Sequence, residues 1–217
     1  ASGTATISSD SGGGDILTGA VDGTVAGVQT LSITGGSGAV SVGAVGGTTD
    51  PGGFSIATSA TATLSGDIEV TAGDIDLDGA AAISLAGDVA MTTTSSGGID
   101  LGSSNATSVT DTGAFGLTLS SAGSIALDDV TLDSLAISAG TALSLYGVVE
   151  STDGAADLDF SALPDGNTIT IAADAELLSA GEVVATAEAL NAASAGGASL
   201  RIVSAGATSL GAVGVAT

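Results

Sequence analysis

The stretch Gly66-Asp67-Ile68-Glu69-Val70-Thr71-Ala72-Gly73-Asp74-Ile75-Asp76-Leu77 decides the fold, and Gly87-Asp88-Val89-Ala90-Met91 repeats its phrase. In each phrase Gly-Asp is followed by an apolar–x–apolar triplet. Period-two alternation sends the two apolar side chains to one face of a strand and the middle residue to the other. Three residues make only a short strand. Gly-Asp before it marks a corner, because Gly supplies the backbone angles that tight bends require. The phrase begins at residues 66, 73 and 87, offsets of 7 and 14. Three such units predict a coil of about 20 residues, the size of one turn of a parallel β-helix.

The same triplet recurs on both sides of this stretch. Leu31-Ser32-Ile33, Val40-Ser41-Val42 and Phe54-Ser55-Ile56 precede it; Ile83-Ser84-Leu85, Ile99-Asp100-Leu101, Leu117-Thr118-Leu119, Ile125-Ala126-Leu127, Leu143-Ser144-Leu145 and Ile169-Thr170-Ile171 follow. The expected fold is all-β: a right-handed parallel β-helix (β-solenoid) of about ten coils. It spans residues 1–217 as a single segment, either an internal part of a longer repeat array or a fibre subunit. Ile68, Val70, Ile75, Leu77, Leu85, Val89, Leu117, Leu119, Ile125 and Leu127 are expected to point inward, and Glu69, Asp76, Asp100 and Thr118 outward. One stretch breaks the pattern. Ser179-Ala180-Gly181-Glu182 has capping-box spacing before an Ala-rich run, which predicts a short helix over 180–193.

Composition agrees with a thin interior. Hydrophobic residues make up 44% of the chain but aromatics only 2%, and Gly supplies 35 of 217 residues. A globular core needs large side chains to fill it, whereas a solenoid is only a few side chains across. The charge is lopsided: 24 acidic residues face one basic residue, Arg201, for a net charge of −23. Such a chain repels phosphate backbones and anionic headgroups, so neither nucleic acid nor membrane insertion is expected. Mutual repulsion keeps it soluble. The absence of Cys excludes disulfides and thiol chemistry. No basic and apolar leader opens the chain, so any signal peptide has been removed or lies upstream.

The same inventory limits chemistry. With no His, Lys or Cys, acid–base work by imidazole and Ser-His or Cys-His nucleophiles are ruled out. A two-carboxylate glycosidase would draw on Asp74, Asp76 and Asp78, placed on the outer face of one strand, but no aromatic wall for a sugar lies nearby. The expectation is a protein that is not an enzyme, with no catalytic residues and no organic cofactor. The oxygen-rich composition leaves divalent-cation binding open, and Ca2+ suits oxygen ligands. Asp111, Asp133, Asp153 and Asp174 are spaced by 22, 20 and 21 residues. One per coil, they would form a column whose mutual repulsion calls for a cation. Gly12-Gly13-Gly14-Asp15-Ile16-Leu17-Thr18-Gly19 resembles one calcium-binding glycine-aspartate nonapeptide, but the copy is single and its spacing departs from the motif, which favours a Gly-rich turn before a strand. Thr61-Ala62-Thr63 and Thr92-Thr93-Thr94 do not recur at the coil period, as a flat ice-binding array requires.

Leu31-Ser32-Ile33-Thr34-Gly35-Gly36-Ser37-Gly38-Ala39-Val40, running through Gly43-Ala44-Val45-Gly46-Gly47 to Phe54-Ser55-Ile56, resembles the degenerate repeats of filamentous-haemagglutinin-type giant bacterial surface proteins. Leu117 to Ile125 repeats the style. The resemblance implies an extracellular or cell-surface β-solenoid with a role in adhesion or fibre building. The expected function is structural, a stiff stalk or filament; the alternative is a calcium-stabilised or glycan-binding module of a secreted protein. The expected partners are copies of itself or adjacent repeats, joined end to end through open strand edges.

Overall fold

Every triplet quoted above is part of a strand, and the strands stack in parallel turn upon turn. The structure is a computed structural model that describes residues 3–9, 13–103, 107–163, 167–185, 189–194 and 197–215. The first turn holds β1 (Gly3–Ser8) and β2 (Ile16–Thr18) and closes at Val21; the second holds β3 (Gln29–Gly36) and β4 (Val40–Val42) and closes at Val45. In the third turn β5 (Gly53–Leu64) bends round a corner to supply two sides, and β6 (Ile68–Val70) supplies the third. The fourth repeats this with β7 (Ile75–Leu85) and β8 (Val89–Thr93). Five strict triplets of strands follow: β9 (Ile99–Leu101), β10 (Ser108–Asp111) and β11 (Gly116–Ser120); β12 (Ser124–Leu127), β13 (Asp129–Leu132) and β14 (Ser134–Ala139); β15 (Ala142–Leu145), β16 (Val148–Ser151) and β17 (Leu158–Asp159). The last two are β18 (Thr168–Ile171), β19 (Ala175–Ser179) and β20 (Val183–Ala185), then β21 (Ala189–Ala192), β22 (Leu200–Ser204) and β23 (Thr208–Leu210). A further strand, β24 (Val213–Val215), begins another turn on top of β21.

The result is a parallel β-solenoid of about nine turns with three sides. The first side runs from β1 to β24, the second from β2 to β22, and the third from Val21 to β23. Because β5 and β7 cross a corner unbroken, the first two sides form one 17-stranded sheet and the third a 7-stranded sheet. The turn count is about nine rather than ten because the turns are uneven. Leu143 follows its partner Ile125 by 18 residues, whereas Ile125 follows Ile99 by 26. The surplus residues sit at corners, where the ladder does not constrain length.

Inward residues form continuous columns. Leu31, Phe54, Ile75, Ile99, Ile125, Leu143, Ile169 and Leu190 stack in register along the first side, each 5% exposed or less. All ten residues expected inside are buried, Glu69, Asp76 and Thr118 are exposed, and Asp100 is half-buried on the outer face. Close stacking of corners demands glycine where backbones touch: a Cβ on Gly97 would strike the carbonyl of Gly73 one turn below.

Among the described residues of 180–193 the expected helix is absent. Val183–Ala185 and Ala189–Ala192 are strands, and residues 186–188 between them lie outside the described residues. The Ser179 hydroxyl accepts from Gly181 N, two residues on, and so closes a corner rather than capping a helix. Val183 and Val184 then pair with Leu158 and Asp159 below and with Thr208 and Ser209 above. Adjacent β-branched residues favour that pleated environment over a helix.

Candidate functional site: the aspartate corners

Parallel strands exchange evenly spaced hydrogen bonds only while both chains run straight. At a corner, the N–H of a residue entering the next strand has lost its backbone partner, and an orphan N–H is costly. The chain supplies a carboxylate there. Asp74 Oδ1 accepts from Gly98 N at 2.7 Å, and the next residue along, Ile75, donates its own N–H to Gly98 O at 3.0 Å. The pair Asp-apolar thus grips one residue of the following turn by both of its backbone groups. Asp15-Ile16 grips Ala39, Asp157-Leu158 grips Glu182, and Asp174-Ala175 grips Ser199 in the same way.

The device is general. Asp67 accepts from Ala90 N, Asp88 from Gly116 N, Asp129 from Val148 N, Asp22 from Thr48 N, Asp78 from Ser103 N and Asp111 from Asp133 N, at 2.8 to 3.2 Å. In every case the carboxylate belongs to the earlier turn, so the grips run one way along the axis. Asp76, Asp100, Asp153 and Asp159 instead cap the N–H two residues ahead within their own corner. Both geometries need a short side chain held close to its own backbone, which accounts for 19 Asp against five Glu. Charge balance alone reads this acidity as a solubility device; the structure adds that most of it is spent on backbone hydrogen bonds.

The four candidate metal residues divide. Asp111, Asp133 and Asp153 follow one another at the corner after β10, β13 and β16: Asp133 N donates to Asp111 Oδ2 at 2.9 Å, and Asp153 N to Asp133 O at 3.1 Å. Asp174 stands elsewhere, ahead of β19, where Ser199 N and Oγ both donate to its Oδ1 at 2.8 Å. The column therefore ends at Asp153. Among the described residues no group of three or more acidic side chains is placed to share one ion. Asp15 of the glycine-rich stretch is held by Ala39 N, and Gly13 there has a φ of 75°. The described part of that stretch is a Gly-rich turn before β2.

Asp74, Asp76 and Asp78 do not share a face. Asp78 is buried, because β7 turns its corner there and alternation breaks between Leu77 and Asp78. Asp74 and Asp76 line a shallow hollow with Asp100, Gly98, Ile99, Ser124 and Ala126. Although Asp76 is exposed, packing against adjacent turns partly shields its carboxyl from water and lifts it above the ordinary carboxylate value. Asp100, Asp78 and Asp74 push the same way, and the Asp78 N–H opposes. Burial lifts Asp128 too, helped by Asp129 and Asp78. Asp174 moves down, held ionised by the Ser199 hydroxyl and N–H. Arg201 lies remote in sequence from the hollow, on β22, paired with Glu176 at 2.9 Å.

One pattern escaped the sequence reading. Ser41, Thr63, Ser84, Thr110 and Thr131 stand in register on the outside of the second side, one per turn. Uneven turn lengths hid the row. Its neighbouring column, Thr61, Ala82 and Ser108, is interrupted by Ala82, so the hydroxyls form one rank and not a two-rank array.

No protein-family model matches the chain, and no match was found among curated proteins or solved structures. The comparisons thus add nothing to the fold, which stands on the stacked strands themselves.

Proposed function

We propose that the chain is a non-catalytic structural spacer, a stiff segment of an extracellular stalk or fibre of the filamentous-haemagglutinin style. The observation that carries this reading is the backbone ladder, bound at its corners by ten aspartates that reach toward the next turn. Such a ladder resists bending and stretching along its axis, and its properties depend on the number of turns rather than on any one site. The resemblance of residues 31–56 to surface-protein repeats supplies the extracellular setting. The test is modularity. Excising residues 125–142, one 18-residue turn, joins Ser124 to Leu143 in the register that the two strands already share. Small-angle X-ray scattering should show a folded rod shortened by about 4.8 Å from an original length of roughly 43 Å. A variant that unfolds, or a parent chain that scatters as a flexible coil, overturns the spacer reading.

A further inference from the structure

The third side carries its ladder unevenly. From β6 upward its strands meet at three, four and then five paired positions. The next join, where β14 of the sixth turn meets β17 of the seventh, has one, Ala136 with Asp159. Above it the ladder widens again to two positions and then three. The other two sides do not thin at this level: β12 and β15 share four positions, and β13 and β16 share three. The reason lies in the corners. Asp133 alone separates β13 from β14, whereas six residues, 152–157, separate β16 from β17. The seventh turn puts its chain into that corner, and its third strand keeps only Leu158 and Asp159. We propose that this join is a seam: the solenoid opens on its third side between the sixth and seventh turns and bends there, hinged on the sheet that the other two sides share. This deepens the spacer reading and rests on it, since it says where such a segment yields.

The carboxylate grips favour the turn above the seam and skip the seam itself. Leu158 N and Phe160 N donate to Glu182 O and Val184 O, both at 2.9 Å, and Asp157 holds Glu182 N, so β17 hangs from the eighth turn. Below, Leu135 stands in register with Leu117, and Leu117 with Val89. The residue ahead of Leu135 is Ser134, where Asp88 precedes Val89 and Asp157 precedes Leu158. The Asp159 carboxylate caps Ser161 N within its own corner and reaches neither neighbouring turn. What closes the seam is apolar packing. Leu158, Phe160 and Leu163 are buried, and a Cβ on Gly140 would stand 3.0 Å from Leu163 Cδ2. Such contact is non-directional and fixes no register. Val45 also makes single bridges, to Val21 and Ile68, but there Asp22 accepts from Thr48 N and Thr49 N, and Gly23 N donates to Thr49 O. A segment poor in ladder bonds opens at lower cost than the whole molecule unfolds.

The chain has no cysteine, so the seam can be bolted and released by oxidation and reduction. Ala136 and Asp159 are both exposed on the outer face and paired in register, about 4.8 Å apart in Cα and within disulfide reach. In the full chain, amide exchange in sub-denaturing urea should run about tenfold faster at residues 158–163 than at residues 116–120. Oxidising the Ala136→Cys, Asp159→Cys variant should remove most of that excess. The reduced form of the same variant is the reference, which cancels the loss of the Asp159 cap. A disulfide one turn lower, Thr118→Cys with Ala136→Cys, joins a fully paired position and should leave the excess in place. Equal exchange in the two segments of the parent chain, or equal slowing by both disulfides, overturns the seam. A parent with equal exchange that still scatters as a rod leaves the spacer reading standing, whereas one that scatters as a flexible coil overturns both.

Discussion

Ile75 and Asp76 are neighbours with opposite fates. Ile75 is fully buried in the first-side column, so Ile75→Asp places a charge where no partner exists. It should cost roughly 4 kcal/mol or more in denaturant unfolding. Composition and alternation alone make Asp76→Asn a silent change. The structure alters that: the Asp76 carboxyl is held above its ordinary value, so its ionised form costs stability at neutral pH, and that cost is relieved as pH falls through the raised value. Asp76→Asn, which keeps an oxygen for the Asp78 N–H, should therefore raise the melting temperature at pH 7, with the gain fading in acid. A lower melting temperature at pH 7 would contradict this. Asp174 has the opposite sign. Its contribution is present above the ordinary carboxylate range and is lost as pH falls through its depressed folded value. Ser199→Ala should move the Asp174 carboxyl titration upward in NMR; an unmoved titration would mean that the hydroxyl is not what holds it down.

At the level of strands and corners, the triplets were legible because alternation over three residues leaves little choice of face. The Gly-Asp phrase was legible as a corner, but its purpose was not. The partner of each aspartate lies 19 to 28 residues away, and only the stacked register brings it near. Asp88→Ala should accordingly speed amide exchange at Gly116 several-fold with little effect at Leu119, three strand positions beyond; equal protection in both proteins would remove the grip. The false helix at 180–193 arose because Ser-x-x-Glu and alanine are local signals, while the pairing of Val183 with Leu158 and Thr208 is not. Circular dichroism should lack a helical component. Val183 N, which donates to Ala207 O, and Phe160 N, which donates to Val184 O, should be protected from exchange. The spacing of Asp111, Asp133, Asp153 and Asp174 misled about alignment for a related reason: even spacing in sequence maps to one column only when turns are equal, and the next turn puts Asp174 at a different corner.

For the whole molecule, the unequal turns matter more than their average. Steps as different as 18 and 26 residues leave the strand ladder unbroken, since β15 sits on β12 as squarely as β12 sits on β9. What the solenoid conserves is the count of strands, and the chain between them is free to lengthen. The corner from Thr152 to Asp157, between β16 and β17, is mostly exposed, and Gly154 and Ala155 at its tip are both exposed. Loop closure grows only slowly with length, about 0.6 kcal/mol per doubling. A foreign peptide spliced between Gly154 and Ala155 should leave the melting temperature within a few degrees of the parent. Corners as open as this one are in this sense graft sites, and a stack of turns offers a rack on which inserted sequences would be held at separate heights along one post.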